Sequence, residues 1–263
     1  MNIVIIGTGN VATHLAASFL GIKQVKVVQA FNHVLSKKAK DYSKKFKCEV
    51  VADYNQIKPD ADIYIIAVKD DAIAEVVKNL IPLKLNGLVT HTSGSVDCDV
   101  LKKVSKQIGV YYPLQTFYPN AKIDWTLTPL LIEANTKVAL IQLKSLANAV
   151  SKQVRVINSE ERLRIHLAAV FASNFTNAMY VTAYELIEKS LTKKDTALLF
   201  PLMKHSFQKL ETVHPLAAQT GPAKRQDKRV MQKHLGLLKN DKDLLALYKS
   251  LSDLILKQQS GKK

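Results

Sequence analysis

The residues near the amino end have the types and the spacing that phosphate binding requires. Gly7, Gly9 and Ala12 form a G-x-G-x-x-A turn between an apolar run at 2–6 and a segment of helical composition at 11–20. The first glycine permits a tight turn, the second lets the backbone approach a pyrophosphate, and the small third residue lets the helix pack on the strand. Free amides at the helix start would face the phosphates. This context predicts a dinucleotide-binding turn. Its residues are Gly7, Thr8, Gly9, Asn10, Val11 and Ala12.

The end of a second predicted strand, 25–31, is where such folds recognise the ribose of the cofactor. NAD sites usually carry Asp or Glu there, but residues 31–38 contain no acid. Asn32, Ser36 and the pair Lys37 and Lys38 could instead receive a 2′-phosphate, so we expect NADP rather than NAD. The alternative is that the lysines merely begin the next helix. The cofactor contacts expected here are Asn32, His33 and Lys37.

Two more apolar runs, at 62–68 and 87–91, are typical of buried parallel strands. Segments just past the carboxyl ends of such strands line the ligand crevice. We therefore expect further cofactor contacts from Ala67, Val68, Lys69 and Asp70 after the first of these strands, and from His91 and Thr92 after the second. Beyond them, Ser93 and Gly94 could bind a substrate carboxylate or carbonyl through a hydroxyl and a backbone amide. The alternative is a helix cap, and the two interpretations are compatible.

A predicted helix from 159 to 189 carries polar residues on a face that otherwise looks buried. At about 100° per residue, Ser173, Asn177 and Tyr180 fall within roughly 40° of His166, and Asn174 lies on the flank. Buried polar groups need partners, and a ligand-filled cleft would supply them. A hydrogen-bonded seam between helices is the alternative. We expect His166 as proton donor, because histidine titrates near neutrality, with His91 second.

The loop at 220–227 is the one glycine-proline break in the helical half, and it carries Lys224 and Arg225. The planar guanidinium of an arginine suits a carboxylate, so these two residues are candidate substrate ligands. A solvated turn between helices is the alternative.

Composition limits the function classes. The net charge is +16 over 263 residues, and lysine provides most of the basic side chains. These lysines are scattered rather than clustered with aromatics, which disfavours nucleic-acid binding and favours a solvated surface. The first apolar run is too short for a signal peptide or a membrane span, so we expect a cytoplasmic protein. Cys48 and Cys98 have no metal-ligand spacing, and we expect no metal.

The order of elements predicts two domains. Residues 1–158 alternate strand and helix and indicate an α/β Rossmann domain, doubly wound with a mainly parallel sheet. Residues 159–263 contain no convincing strand and indicate an all-α domain with helices at 159–189, 194–213, 227–238 and 241–257.

Five motifs together resemble a known group. They are the opening turn, the HTSGS loop at 91–95, YPLQTF at 112–117, HLAAVFASNF at 166–175 and TGPAKR at 220–225. They resemble bacterial Rossmann-like proteins whose C-terminal half is catalogued as a domain of unknown function, related to pyrroline-carboxylate reductase, deazaflavin-dependent NADP reductases and the β-hydroxyacid dehydrogenases. The resemblance implies an NAD(P) domain, a helical dimerisation domain of the phosphogluconate dehydrogenase C-terminal type, and a site in the cleft between them.

One departure from the β-hydroxyacid dehydrogenases matters for mechanism. Their K-x-x-N pattern corresponds here to residues 174–177, where Asn174 replaces the lysine and Asn177 is retained. Asparagine can orient a carbonyl or imine but cannot titrate near neutral pH. We therefore expect reduction of a small C=N or C=O substrate, with Asn174 and Asn177 holding the reacting group. The alternative is a non-catalytic NADP(H)-binding sensor.

Overall fold

The computed structural model describes residues 1–261, and Lys262 and Lys263 lie outside the described residues. The chain divides into two compact units, Met1–Met179 and Tyr180–Lys263. The last strand ends at Val156, and the next element is the helix that begins at Ser159. The first compact unit nevertheless extends beyond that residue and includes the first half of the long helix.

The first unit is built on one eight-stranded sheet with the order β3-β2-β1-β4-β5-β6-β7-β8. Every neighbouring pair is parallel except β6 and β7, which are antiparallel. This confirms the expected Rossmann-like, mainly parallel architecture. The strands are β1 Asn2–Ile6, β2 Lys26–Phe31, β3 Glu49–Val51, β4 Ile63–Ile66, β5 Leu88–His91, β6 Ile108–Pro113, β7 Leu130–Ala134 and β8 Val154–Val156.

Helices cover both faces of this sheet, which explains why its central strands are continuous apolar runs. Alternate residues of β1 point to opposite faces, so that Ile3 and Ile5 join one core and Val4 and Ile6 join the other. The helices that cover the two faces are α1 Asn10–Phe19, α2 Lys37–Phe46, α3 Asp70–Leu80 and α4 Lys137–Val150. The carboxyl ends of β1, β4 and β5 meet at one edge, where the sequence motifs converge.

The predicted long helix begins at α5, Ser159–Ala169, and continues as α6, Thr176–Ser190, with a π-helical turn between them at Val170–Phe175. Asn158 and Glu161 form a capping box at its start, each side chain accepting from the other residue's backbone amide. A π turn inserts an extra residue into the helical repeat. Side chains after it therefore face differently from those of a straight α-helix.

The second unit is helical throughout its described part, as expected. Its complete helices are α7 Phe200–Lys209, α8 Pro215–Ala218, α9 Lys228–Leu237 and α10 Lys242–Gln259. Ala223 and Leu238 are the apolar side chains buried within residues 180–261, whereas large side chains such as Phe200 and Phe207 are mostly exposed. No helix among residues 1–261 has the length and apolar character needed to cross a membrane.

Candidate functional site

The glycine turn between β1 and α1 has the geometry that phosphate binding requires. Gly7 has a φ of 115°, and a Cβ built on it would lie 2.4 Å from the carbonyl oxygen of Ala67. Only glycine therefore fits where the turn passes the end of β4. A Cβ on Gly9 would meet nothing within 4 Å, so the backbone there opens onto free space that a phosphate could occupy.

The start of α1 offers unpaired backbone donors beside that space. Gly9 occupies the N-cap position and provides no side-chain cap, and the amides of Asn10, Val11 and Ala12 have no partner among the described residues. Helix N-termini of this kind bind anions. The turn residues therefore fit a dinucleotide pyrophosphate. Asn10 also donates weakly from its side chain to the carbonyl of Phe117, at 3.4 Å, which brings the 114–118 loop over the turn.

The segment after β2 fits the other end of a dinucleotide. Asn32 donates to the carbonyl of Val34 at 2.6 Å, and the Ser36 hydroxyl caps α2 by accepting from the Ala39 amide. His33, Lys37 and Lys38 are exposed, and the lysines form no ion pair among residues 1–261. Cationic ammonium groups and a helix N-terminus are therefore free to meet an anion here.

The segments after β4 and β5 are only partly accessible. Thr92 lines the main cleft, Val68 is half-buried and Lys69 is exposed. His91 is fully buried at 0% exposure, and its Nδ1 accepts from the Ser93 amide at 3.2 Å. Burial lowers the pKa of His91 to about 4. The structure does not support the expectation that His91 contacts the cofactor or donates a proton, because its ring is neutral and enclosed.

The main cleft of the first unit has a volume of about 700 Å³ and lies directly beside the glycine turn. One side comes from the turn and the loops after β4, β5 and β6, and the other comes from α5 and the π-helical turn. The lining combines apolar residues with polar groups that could orient a ligand, as is usual for small-molecule sites. The polar side chains that line it are Asp70, Thr92, Ser93, Tyr112, Gln115, Thr116, His166, Ser173 and Asn174.

The hydroxyl of Ser93 is fully occupied within the loop after β5. It donates to Oδ2 of Asp70 at 2.7 Å and accepts from the amides of Ser95 and Val96 at 3.1 and 3.0 Å. A substrate carboxylate could not replace the Asp70 contact without meeting a second negative charge. The proposed role of Ser93 as a carboxylate ligand is therefore not supported, and the capping alternative describes it better.

His166 and Tyr112 form a hydrogen-bonded pair in the cleft, with 3.0 Å between Nδ1 and the phenol oxygen. A Cβ on Gly94 would lie 2.5 Å from the same nitrogen, so the His166 ring covers Gly94. Burial raises the pKa of Tyr112, and the nearby Asp70 raises it further. The phenol therefore stays protonated and can donate to Nδ1, which leaves the imidazole proton on Nε2.

The π-helical turn decides which polar residues of the long helix face the cleft. Ser173 and Asn174 line it, and the Ser173 hydroxyl lies 3.1 Å from that of Thr116. Asn177 and Tyr180 are not among the lining residues. Because a π turn contains one extra residue, the side chains that follow it are rotated about the helix axis by roughly 100° relative to a straight α-helix. This rotation is consistent with Asn174, expected on the flank, lining the cleft in place of Asn177.

Arg162 fixes the start of this helix against the sheet, a role that the sequence did not reveal. Its guanidinium is 1% exposed, pairs with Glu133 of β7, and donates to the Val96 carbonyl and the Ser159 hydroxyl. These contacts join α5 both to the sheet and to the loop that carries Ser93. An arginine within the first turns of a predicted helix gives no sequence signal that it is buried.

Lys224 and Arg225 lie in the second unit, in the loop before α9. The Lys224 ammonium donates to the Gln219 carbonyl at 2.9 Å, and Arg225 is exposed. No group of acidic, histidine or cysteine side chains with metal-ligand geometry occurs among residues 1–261.

Similarity to known proteins agrees with this geometry. Residues 1–89 match a model described as the oxidoreductase family with an NAD-binding Rossmann fold, and residues 128–255 match a domain of unknown function, DUF2520. A "putative NADP oxidoreductase" from Bacteroides fragilis is 36% identical, with 97% of this chain and 98% of that chain covered at a TM-score of 0.89. The chain belongs to this family of Rossmann-fold, DUF2520-containing oxidoreductases.

More distant structures share the fold of this DUF2520 family member. A pyrroline-5-carboxylate reductase from Coxiella burnetii is 19% identical, covers 98% of each chain and has a TM-score of 0.58. An imine reductase from Myxococcus stipitatus in complex with NADP+ is 13% identical and has a TM-score of 0.66. The match covers 100% of this chain and 95% of the imine reductase chain. No curated protein is significantly similar to the chain in sequence. The resemblance drawn from the motifs is thereby confirmed for the family and for the fold.

Proposed function

We propose that the protein is an NADPH-dependent reductase of a small C=N or C=O substrate, acting in the cleft of the first unit. The observation that carries the proposal is that two features share one cleft: Val11 of the glycine turn lines the same cavity as His166, Ser173 and Asn174. The nicotinamide supplies the hydride when bound. A dinucleotide held at the turn would extend into a cavity that carries hydrogen-bonding groups for a reactant.

The side chains of the cleft donate a proton, orient the reacting group and exclude water. In its imidazolium form, His166 donates from Nδ1 to the phenol oxygen of Tyr112 and presents the Nε2 proton to the reduced atom. Transfer of that proton leaves a neutral imidazole that keeps its proton on Nδ1. The amide of Asn174 orients the reacting group by hydrogen bonding, since it cannot titrate. Apolar residues of α5 and of the 113–114 segment shield the reactant from water.

We infer a preference for NADP over NAD from the residues after β2. Lys37 and Lys38 are exposed, unpaired within residues 1–261, and adjacent to the Ser36 cap of α2. A 2′-phosphate would gain charge-assisted hydrogen bonds there. The carboxylate that normally holds the ribose hydroxyls of NAD is missing from residues 31–38.

Cofactor binding and turnover are tested together. NADPH and NADH are titrated against protein fluorescence for the wild type, Lys37→Ala, Lys38→Ala and the control Lys44→Ala, which changes an exposed lysine in the last turn of α2. NADPH should bind the wild type more tightly, and the first two variants should lose part of that preference. NADPH oxidation is then followed with cyclic imines and with ketones. Equal affinities for the two cofactors would refute the NADP assignment.

A non-catalytic NADP(H) sensor is the second candidate, and Asn174 favours it, because this position in the cleft holds no titratable group. A sensor would bind NADPH tightly without oxidising it in the presence of any imine or ketone. Loss of turnover in His166→Ala and Asn174→Ala, with NADPH affinity retained, would favour the reductase.

We further propose that the functional molecule is a homodimer formed by the helical part of the chain. Leu163, Leu167, Phe171 and Phe175 lie exposed on successive turns of the long helix. Residues 180–261, considered separately, also bury very few apolar side chains. Exposed apolar surface of this extent is typical of an interface, and a second copy is the simplest symmetric partner. Sedimentation equilibrium at micromolar concentration should give twice the chain mass, and a stable monomer would contradict the proposal.

A further inference from the structure

We propose that Asp70 forms a subsite for a nitrogen cation, and that the substrate is accordingly an iminium whose product is an amine. This inference rests on the proposed reductase function and narrows it from C=N or C=O to C=N. The sequence instead predicts a neutral or anionic ligand here, because Ser93 and Gly94 are expected to bind a substrate carboxylate or carbonyl.

The Asp70 side chain is held in one position by its neighbours. Asp70 is the first residue of α3, directly beyond β4. Its Oδ2 atom accepts from the hydroxyls of Ser93 and Ser95 at 2.7 and 2.6 Å. Its Oδ1 atom has no hydrogen-bond partner, and its carboxylate has no cation within 4.0 Å, among residues 1–261. One oxygen is thus fixed by two hydroxyls while the other remains available to a ligand.

Asp70 also sets the charge of the cleft. Within the described part of the chain, Asp70 is the one acidic residue that lines the cleft, and no lysine or arginine lines it. This contrasts with the protein as a whole, which has 38 basic residues and a net charge of +16. Asp70 is exposed at the surface of the cleft, where solvent screens its charge in part. A carboxylate there without a counter-cation still attracts a cation and repels an anion. It therefore discriminates between ligands of the same size by their charge.

The position of Asp70 suits the chemistry of C=N reduction. An iminium carries its positive charge before the hydride arrives, whereas a ketone carries none. Hydride addition to the iminium carbon moves the C=N electron pair onto nitrogen and gives a neutral amine. The amine then takes up one proton and becomes an ammonium ion. A carboxylate beside the nitrogen stabilises the reactive iminium and the ammonium product, and the proton can be supplied from Nε2 of His166.

The test measures binding of charged and neutral ligands of one size. The wild-type protein is saturated with NADP+, and pyrrolidine, cyclopentanol and cyclopentanecarboxylate are titrated by calorimetry. Pyrrolidine, which is an ammonium ion at neutral pH, should bind most tightly, and the carboxylate should bind most weakly. This ranking of the three affinities is measured on the wild-type protein alone. A different ranking would therefore contradict the proposal even if a substitution prevented folding.

Two aspartates allow a matched comparison. Asp70→Asn should weaken pyrrolidine binding at least about tenfold, the effect of removing a charged hydrogen-bond partner, and leave cyclopentanol and NADP+ binding unchanged. Asp71→Asn removes the same charge from the next residue, which does not line the cleft, and should change none of the three. Unchanged pyrrolidine binding in Asp70→Asn would overturn the subsite, as would a loss confined to NADP+ affinity, which would assign Asp70 to the cofactor. If the wild type fails to bind NADP+, the reductase proposal itself fails.

Discussion

The imidazole of His166 rests on the backbone of Gly94, so closely that a Cβ at position 94 would lie 2.5 Å from Nδ1 and 2.7 Å from Cγ. Nδ1 and Cγ, with which this Cβ would clash, lie on the side of the ring next to the main chain, so rotation of the side-chain end could not relieve the clash. The ring is also held by the Tyr112 phenol on Nδ1. Gly94 therefore fixes the distance between the loop after β5 and the helix that carries His166.

We predict that Gly94→Ala displaces His166 and reduces kcat/KM for imine reduction about a hundredfold, the usual effect of a displacement of about 1 Å in an active site. NADPH affinity should change little, because the glycine turn is separate from this contact. Gly236→Ala is the control, since a Cβ there meets nothing within 4 Å. Wild-type kcat/KM in Gly94→Ala would show that the position of the ring does not matter for turnover.

We predict that Tyr112→Phe lowers kcat about tenfold or more and leaves KM and NADPH affinity nearly unchanged. Without the phenol oxygen, the Nδ1 proton of the imidazolium loses its acceptor. The control is Tyr111→Phe in the same strand, because the Tyr111 hydroxyl is fully buried and has no partner among residues 1–261. Removing it should raise the free energy of unfolding by about 1 kcal/mol without affecting kcat. Equal kcat values for wild type and Tyr112→Phe would remove Tyr112 from the mechanism.

The sheet and the phosphate turn were predictable because each depends on local sequence. The apolar runs of β1 and β4 and the glycines at 7 and 9 determine their own structure wherever helices cover both faces of the sheet. The polar residues of the long helix were predictable in type, but their orientation was not. A straight helix places Asn177 beside His166, whereas the π-helical turn brings Asn174 there instead.

Sequence reasoning missed Tyr112 and considered Asp70 only as a candidate cofactor contact, for a different reason. Tyr112 lies in the YPLQTF motif at 112–117, and Asp70 follows a predicted strand, but neither residue type at that position indicates chemistry by itself. Their roles arise from partners 54 and 23 residues away, His166 and Ser93. Contacts over such separations are set by packing of the completed fold, and no pattern in a single sequence encodes them.

We predict that Glu133→Gln lowers the free energy of unfolding by about 3 kcal/mol, since it leaves the buried Arg162 guanidinium without its counter-charge. The control is Glu160→Gln, which breaks the exposed Glu160 and Arg164 pair on the same helix and should cost less than about 1 kcal/mol. Urea unfolding of both variants provides the comparison. Similar losses for the two pairs would mean that Arg162 does not anchor the helix.

His91 predicts how stability depends on pH. Burial lowers the pKa of His91 to about 4 from its ordinary value of 6.5, so the unfolded chain binds a proton at a higher pH than the folded protein does. The contribution of His91 to the free energy of unfolding is therefore fully present above about pH 6.5, and it decreases as the pH falls towards 4. The decrease from this residue should approach about 1 kcal/mol per pH unit within that window. Below pH 4 the folded protein also binds the proton, and the contribution stops changing.

The substitution His91→Asn isolates this effect, because the asparagine carboxamide oxygen can replace Nδ1 as acceptor of the Ser93 amide without titrating. The free energy of unfolding is measured by urea titration from pH 4 to pH 8 for the wild type and the variant. The difference between the two curves should be flat above pH 6.5 and should change steadily below it, with the wild type losing stability faster. Parallel curves throughout the range would mean that His91 is protonated as readily in the folded protein as in the unfolded chain, and that its ring is not enclosed.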